Sequence, residues 1–87
     1  MKPNMMPKLK WSGKKGSRLW FASDGDIELH VHQLDRKWES YANRYGPCEL
    51  VAHQLSGPPH ATRVGAMVDA ERQARRLRAW FEGRRVR

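Results

Sequence analysis

The stretch from Thr62 to Gly83, TRVGAMVDAERQARRLRAWFEG, constrains this chain more than any other. Met67, Ala70, Ala74, Leu77 and Phe81 recur at intervals of three and four, flanked by Val64 and Trp80, and this spacing predicts one long amphipathic helix. Thr62 is placed to cap its first turn, and Gly83 to end it as the left-handed C′ residue. Asp69 and Glu71 lie nearer the start, with Arg72, Arg75, Arg76 and Arg78 beyond them, so the charges follow the helix dipole in the favourable sense. Glu71 and Arg75 are spaced as an i, i+4 ion pair. In this reading the acidic and basic residues share the solvated circumference.

A single helix needs an apolar surface to cover, and the segments before it read as strands. RLWFAS, from Arg18 to Ser23, is bounded by Gly16 and by Asp24-Gly25, a strand followed by a turn. Ile27, Leu29 and Val31 then alternate with Glu28, His30 and His32, which marks a half-buried strand to about Leu34 with its apolar side toward the helix. After a turn at Asp35-Arg36, KWESYAN puts Trp38, Ser40 and Ala42 on one face and Lys37, Glu39 and Tyr41 on the other. Arg44 to Pro47 breaks that strand, and CELVAHQL predicts another from about Cys48 to Leu55. Ser56-Gly57-Pro58-Pro59 then carries the chain out of the sheet.

The expected fold class is therefore α+β: a three- to four-stranded antiparallel meander packed on one C-terminal amphipathic helix. Ile27, Leu29, Val31, Leu50, Val64, Met67, Ala74, Leu77 and Phe81 should share its core. With 87 residues there is room for one domain, assigned to residues 16–83. Residues 1–15 carry two prolines and no apolar period and read as a flexible basic arm, with Trp11 anchoring it to the body. Residues 84–87 form a basic tail. Over about Trp11 to Gly83 this layout resembles the small sheet-plus-C-terminal-helix proteins common in phages and prophages, including some anti-CRISPR proteins. That resemblance implies an inhibitor or adaptor that docks on a host protein or nucleoprotein complex. More loosely the layout is similar to the strand-strand-strand-helix half of double-stranded-RNA-binding domains, without their initial helix, which Met1 to Lys10 do not supply.

Charge narrows the partners. Met1 to Arg18 carries +6, Leu19 to Pro59 carries −3 and His60 to Arg87 carries +5, which together make the formal +8. Basic ends around an acidic middle point to a polyanion, DNA or RNA, held through the terminal segments. The candidate contact residues are Lys8, Lys10, Lys14 and Lys15 of the arm with Arg72, Arg75, Arg76, Arg78, Arg84 and Arg85, binding phosphates without reading sequence. The acidic middle argues against an RNA-recognition sheet, which requires basic and aromatic residues on its open face. Most of the aromatics are expected to fill the small core, and if one is exposed, Trp20 or Trp38 is the better candidate. The alternative reading is the protein-binding inhibitor implied by the resemblance, with the same arginines docking on an acidic surface.

Other constellations carry less. His30 and His32 share a strand face, and His53 or His60 could approach them, but no cysteine or carboxylate has standard zinc spacing, so no metal or other cofactor is expected. The pair then reads as part of the polar face. Cys48 has no spaced activating partner and reads as an inert thiol. No paired carboxylates, nucleophile with base or phosphate-cradling loop points to an enzyme. With one cysteine, no signal-like apolar run and no stretch of roughly 20 apolar residues, a soluble cytoplasmic protein is expected.

Overall fold

A computed structural model describes residues 6–44 and 53–85, with side chains over 6–44 and 54–83. Four strands precede one helix: β1 (Leu19–Asp24), β2 (Ile27–Leu34), β3 (Lys37–Arg44), β4 (His53–Ser56) and α1 (Arg63–Arg85). Each strand pairs antiparallel with its neighbour in chain order. This is the α+β layout that the sequence predicts.

Two tight hairpins set the register. Asp24 pairs with Ile27 across Gly25-Asp26, where Gly25 takes φ 65°, and Leu34 pairs with Lys37 across Asp35-Arg36, where Asp35 takes φ 59°. Aspartate is among the few side chains that enter this left-handed region readily, so a glycine is not required at the second turn. The resulting register lines up Ala22, Leu29, Ala42 and Leu55 across all four strands, on the side covered by α1. Ile27, Leu29 and Val31 are fully buried there, together with Ala66, Met67, Ala70, Ala74 and Leu77 of the helix. Each large apolar side chain so buried contributes about 1.5–3 kcal/mol, and the three alanines let α1 lie close to the strands. Phe81 is partly buried against this core and Val64 is half-buried. The predicted core position Leu50 lies outside the described residues.

Several local expectations are corrected. Thr62 does cap the helix, its Oγ1 accepting from the Gly65 amide at 3.0 Å, but Gly83 does not end it. Gly83 keeps a right-handed conformation and α1 continues to Arg85, since arginine is a good helix former and sustains another half turn. Of the predicted last strand, His53 to Leu55 falls in β4, whereas Cys48 to Ala52 lies outside the described residues. Trp20 and Trp38 are not the exposed aromatics. Trp20 lies opposite Val31 in the register and so packs toward α1, with the Arg63 guanidinium 4.2 Å above its ring; Trp38 also packs against the core. Among the described residues the exposed aromatic side chains are Phe21 and Trp80, at 51% and 45%. Among the described residues no helix is long and apolar enough to cross a membrane.

Candidate functional site

The two carboxylates in the first half of α1 determine what its surface presents. Asp69 and Glu71 are two residues apart, about 200° around a helix, and point to opposite flanks. Both are buried, with 8% and 5% exposure. Polar residues buried this deeply must find partners, and they do so in different parts of the chain.

Toward β3 and β4, Asp69 Oδ2 lies 2.9 Å from His60 Nε2 and accepts from Ser40 Oγ at 3.2 Å and Gln73 Nε2 at 3.1 Å. Gln73 Nε2 also donates to Ser40 Oγ. Gly57 makes room for this cluster, because a Cβ there would collide with the Asp69 carboxylate. On the opposite flank Glu71 receives the N-terminal segment. Its Oε1 accepts from the Lys8 amide at 2.8 Å, and its Oε2 from the amides of Lys8 and Leu9 and from Trp11 Nε1 at 2.9–3.0 Å. Glu71 is thus not the partner of Arg75 that helical spacing suggests; three donors from 60 to 63 residues away satisfy it. The arm then reaches β1, where Ser12 and Phe21 exchange backbone hydrogen bonds at 2.7 and 2.9 Å. Leu9 and Trp11 pack against the core, and Gly13 lies so close to Trp20 that a side chain would strike the indole.

With both carboxylates turned inward, Arg72, Arg75 and Arg76 remain exposed on the outer face of α1. Arg72 keeps only a 3.9 Å approach to Asp69, and neither Arg75 nor Arg76 has a carboxylate partner among the described residues. Arg76 also lines a groove of about 560 Å³ between α1 and β4, shared with Leu55, Gly57, Gln73 and Trp80. Lys8 and Lys10 are exposed along the docked arm, whose Lys8 and Leu9 amides are held by Glu71, itself one helical turn before Arg75. Lys14 and Lys15 project from a turn closed by the Ser17 amide on the Lys14 carbonyl, at the β1 edge. Arg78 is separated from the group: its Nη2 donates to the Asp24 carbonyl at 2.6 Å and lies 3.3 Å from Asp24 Oδ2, tying α1 to the first hairpin. Arg84 and Arg85 fall in the last turn of α1, with side chains outside the described set.

The open face of the sheet is different in kind. Phe21, His30 and Tyr41 form a row across β1, β2 and β3, with His30 stacked on Tyr41 at 4.7 Å and His32 on Tyr41 at 5.4 Å. These near-parallel rings each cover a face of a neighbour, and Tyr41 stacks with both histidines. Tyr41 donates to Glu39 Oε1 at 2.6 Å, which, with burial, raises its pKa; His32 Nε2 lies 3.3 Å from the same oxygen. Loss of water around His30, reinforced by neighbouring His32, holds that imidazole below its usual pKa against the pull of Glu28. His60 lies on the other side of the sheet with Asp69, so it does not join His30 and His32, and no group of three metal-ligating side chains occurs among the described residues. The His53 side chain and Cys48 lie outside the described set.

Comparison with known protein families, characterised proteins and solved structures finds no match to this chain. Sequence spacing places the helix arginines on its outer surface, but it misses the inward turn of Asp69 and Glu71. The available signals were Leu9 and Trp11 in the basic arm and the Asp69/Gln73 spacing on one flank, neither of which names a partner.

Proposed function

We propose that this chain is a small, non-enzymatic nucleic-acid-binding protein that grips phosphates with the outer face of α1 and with the lysines of the N-terminal arm. One observation carries the reading: between Arg63 and Arg78 every carboxylate of α1 is buried, so Arg72, Arg75 and Arg76 are exposed with no exposed acid of the helix among them, on the helix that holds the arm carrying Lys8 and Lys10. Arg75 and Arg76 have no carboxylate partner among the described residues and Arg72 only a 3.9 Å approach to Asp69, so these cations can replace the counterions of a polyphosphate. Arg78 supports the fold instead, and its contact with Asp24 removes it from this surface. Contacts of this type fix affinity and orientation and carry little base information.

The test is fluorescence anisotropy on a labelled DNA duplex and a labelled RNA hairpin of mixed sequence, titrated across salt. With about six phosphate contacts, affinity should fall roughly a thousandfold between about 50 and 200 mM salt. Arg75→Glu with Arg76→Glu should weaken binding to all sequences alike. The second reading, a protein-binding inhibitor, is favoured by the exposed Leu19, Phe21 and Leu34 on or beside the open sheet face. It gains if neither nucleic acid binds at physiological salt and one stoichiometric host protein stays bound after nuclease treatment.

A further inference from the structure

The arm and the helix are far apart in sequence, yet one buried carboxylate joins them. We infer that Glu71 is a positioning residue for the proposed nucleic-acid surface, holding Lys8 and Lys10 in register with Arg72 and Arg75. The inference rests on the phosphate-binding reading and adds that the arm binds as a pre-ordered part of the surface.

The chemistry of the contact is specific. Lys8 N, Leu9 N and Trp11 Nε1 are all donors, and all aim at the two oxygens of Glu71. A carboxylate is acceptor-only, so it can satisfy all three at once; an amide of the same shape places its own NH2 against a donor. Because the contacts to Lys8 are made by its backbone, its ammonium is left for another partner, and Lys8 and Lys10 are both exposed. The Ser12–Phe21 bridge and the close fit of Gly13 on Trp20 hold the far end of the same segment. An arm already ordered in the free protein does not lose that conformational freedom when it meets a phosphate backbone. A buried acid inside a basic surface then strengthens anion binding, although its charge has the wrong sign for it.

That sign makes the experiment decisive. Glu71→Gln raises the net charge by one, so if Glu71 acts only as a nearby negative charge the variant binds the DNA duplex and RNA hairpin more tightly. If Glu71 positions the arm, Glu71→Gln binds more weakly, and its salt slope falls by about two, the share of Lys8 and Lys10. Lys8→Ala with Lys10→Ala leaves the backbone contacts to Glu71 intact and should lower the slope by the same amount, which guards against a folding defect in the first variant. Amide hydrogen exchange of the free proteins should show protection of Lys8 and Leu9 lost in Glu71→Gln and retained in the double lysine variant. Unchanged or tighter binding by Glu71→Gln, with an unchanged slope, overturns the inference while leaving the phosphate-binding reading standing. A wild-type protein that binds neither probe overturns both, and exchange protection lost in Glu71→Gln would then mark Glu71 as a support of the fold alone.

Discussion

Asp69 and Glu71 sit two residues apart on the same helix, equally buried, and do different work. Asp69 gathers Ser40, His60 and Gln73, groups that belong to the sheet, the loop before α1 and α1 itself. Its bonds lie within the sandwich and hold the layers together. Glu71 gathers a segment that is outside the sandwich and fastens it along the helix. Loss of the first acid should therefore damage the fold, and loss of the second should mainly alter the surface. A buried acid stabilises whatever brings it donors, and its place on the helix says only from which side those donors come.

The largest effect that can break this contrast is Asp69→Ala. It strands two buried donors beside a cavity, and a loss of about 3 kcal/mol in urea unfolding is expected. A loss below that of Glu71→Ala would erase the distinction. Glu71→Ala should cost about 1–2 kcal/mol, with amide exchange accelerated at Lys8 and Leu9 and hardly changed in β2 and β3. Thr62→Ala removes the hydroxyl that caps α1 and should cost about 1 kcal/mol, a reference for one local hydrogen bond that belongs to neither flank.

The smallest expected effect lies away from both acids and sharpens the contrast by giving the open face its own signature. Because His30 has a lowered pKa in the folded chain, the unfolded chain takes up its proton first as pH falls. Stability is therefore full above about pH 6.5, the ordinary imidazole value, and declines as pH drops through the folded pKa. Unfolding midpoints between about pH 7.5 and 5 should show this decline, and His30→Gln should flatten part of it. An unaltered profile in that variant would place the acid sensitivity elsewhere.

Much of the fold was legible because it rests on local regularities. The alternation of Ile27, Leu29 and Val31, the turn residues at Asp24-Gly25 and Asp35-Arg36, and the three- and four-residue spacing from Met67 to Phe81 state strand, hairpin and helix within a few residues of one another. Half of the candidate surface was legible for the same reason, since Arg72, Arg75 and Arg76 follow from helical phase. The status of Arg78 was not, because its position on the circumference does not reveal that Asp24 waits 54 residues earlier.

What the sequence by itself determined, then, is the order and kind of the elements and which apolar side chains meet between them: hydrophobic periodicity encodes a buried face without reference to its partner. Only the tertiary structure decided the fate of the polar groups. Asp69, Glu71 and Gln73 look solvated by residue type, and their burial depends on Ser40, His60 and the segment from Lys8 to Trp11 arriving with donors in place. A carboxylate leaves water when distant donors replace the hydrogen bonds that water supplied. That exchange removes two acids from the surface of α1, and between Arg63 and Arg78 the helix is left with an outer face on which the exposed charges are arginines.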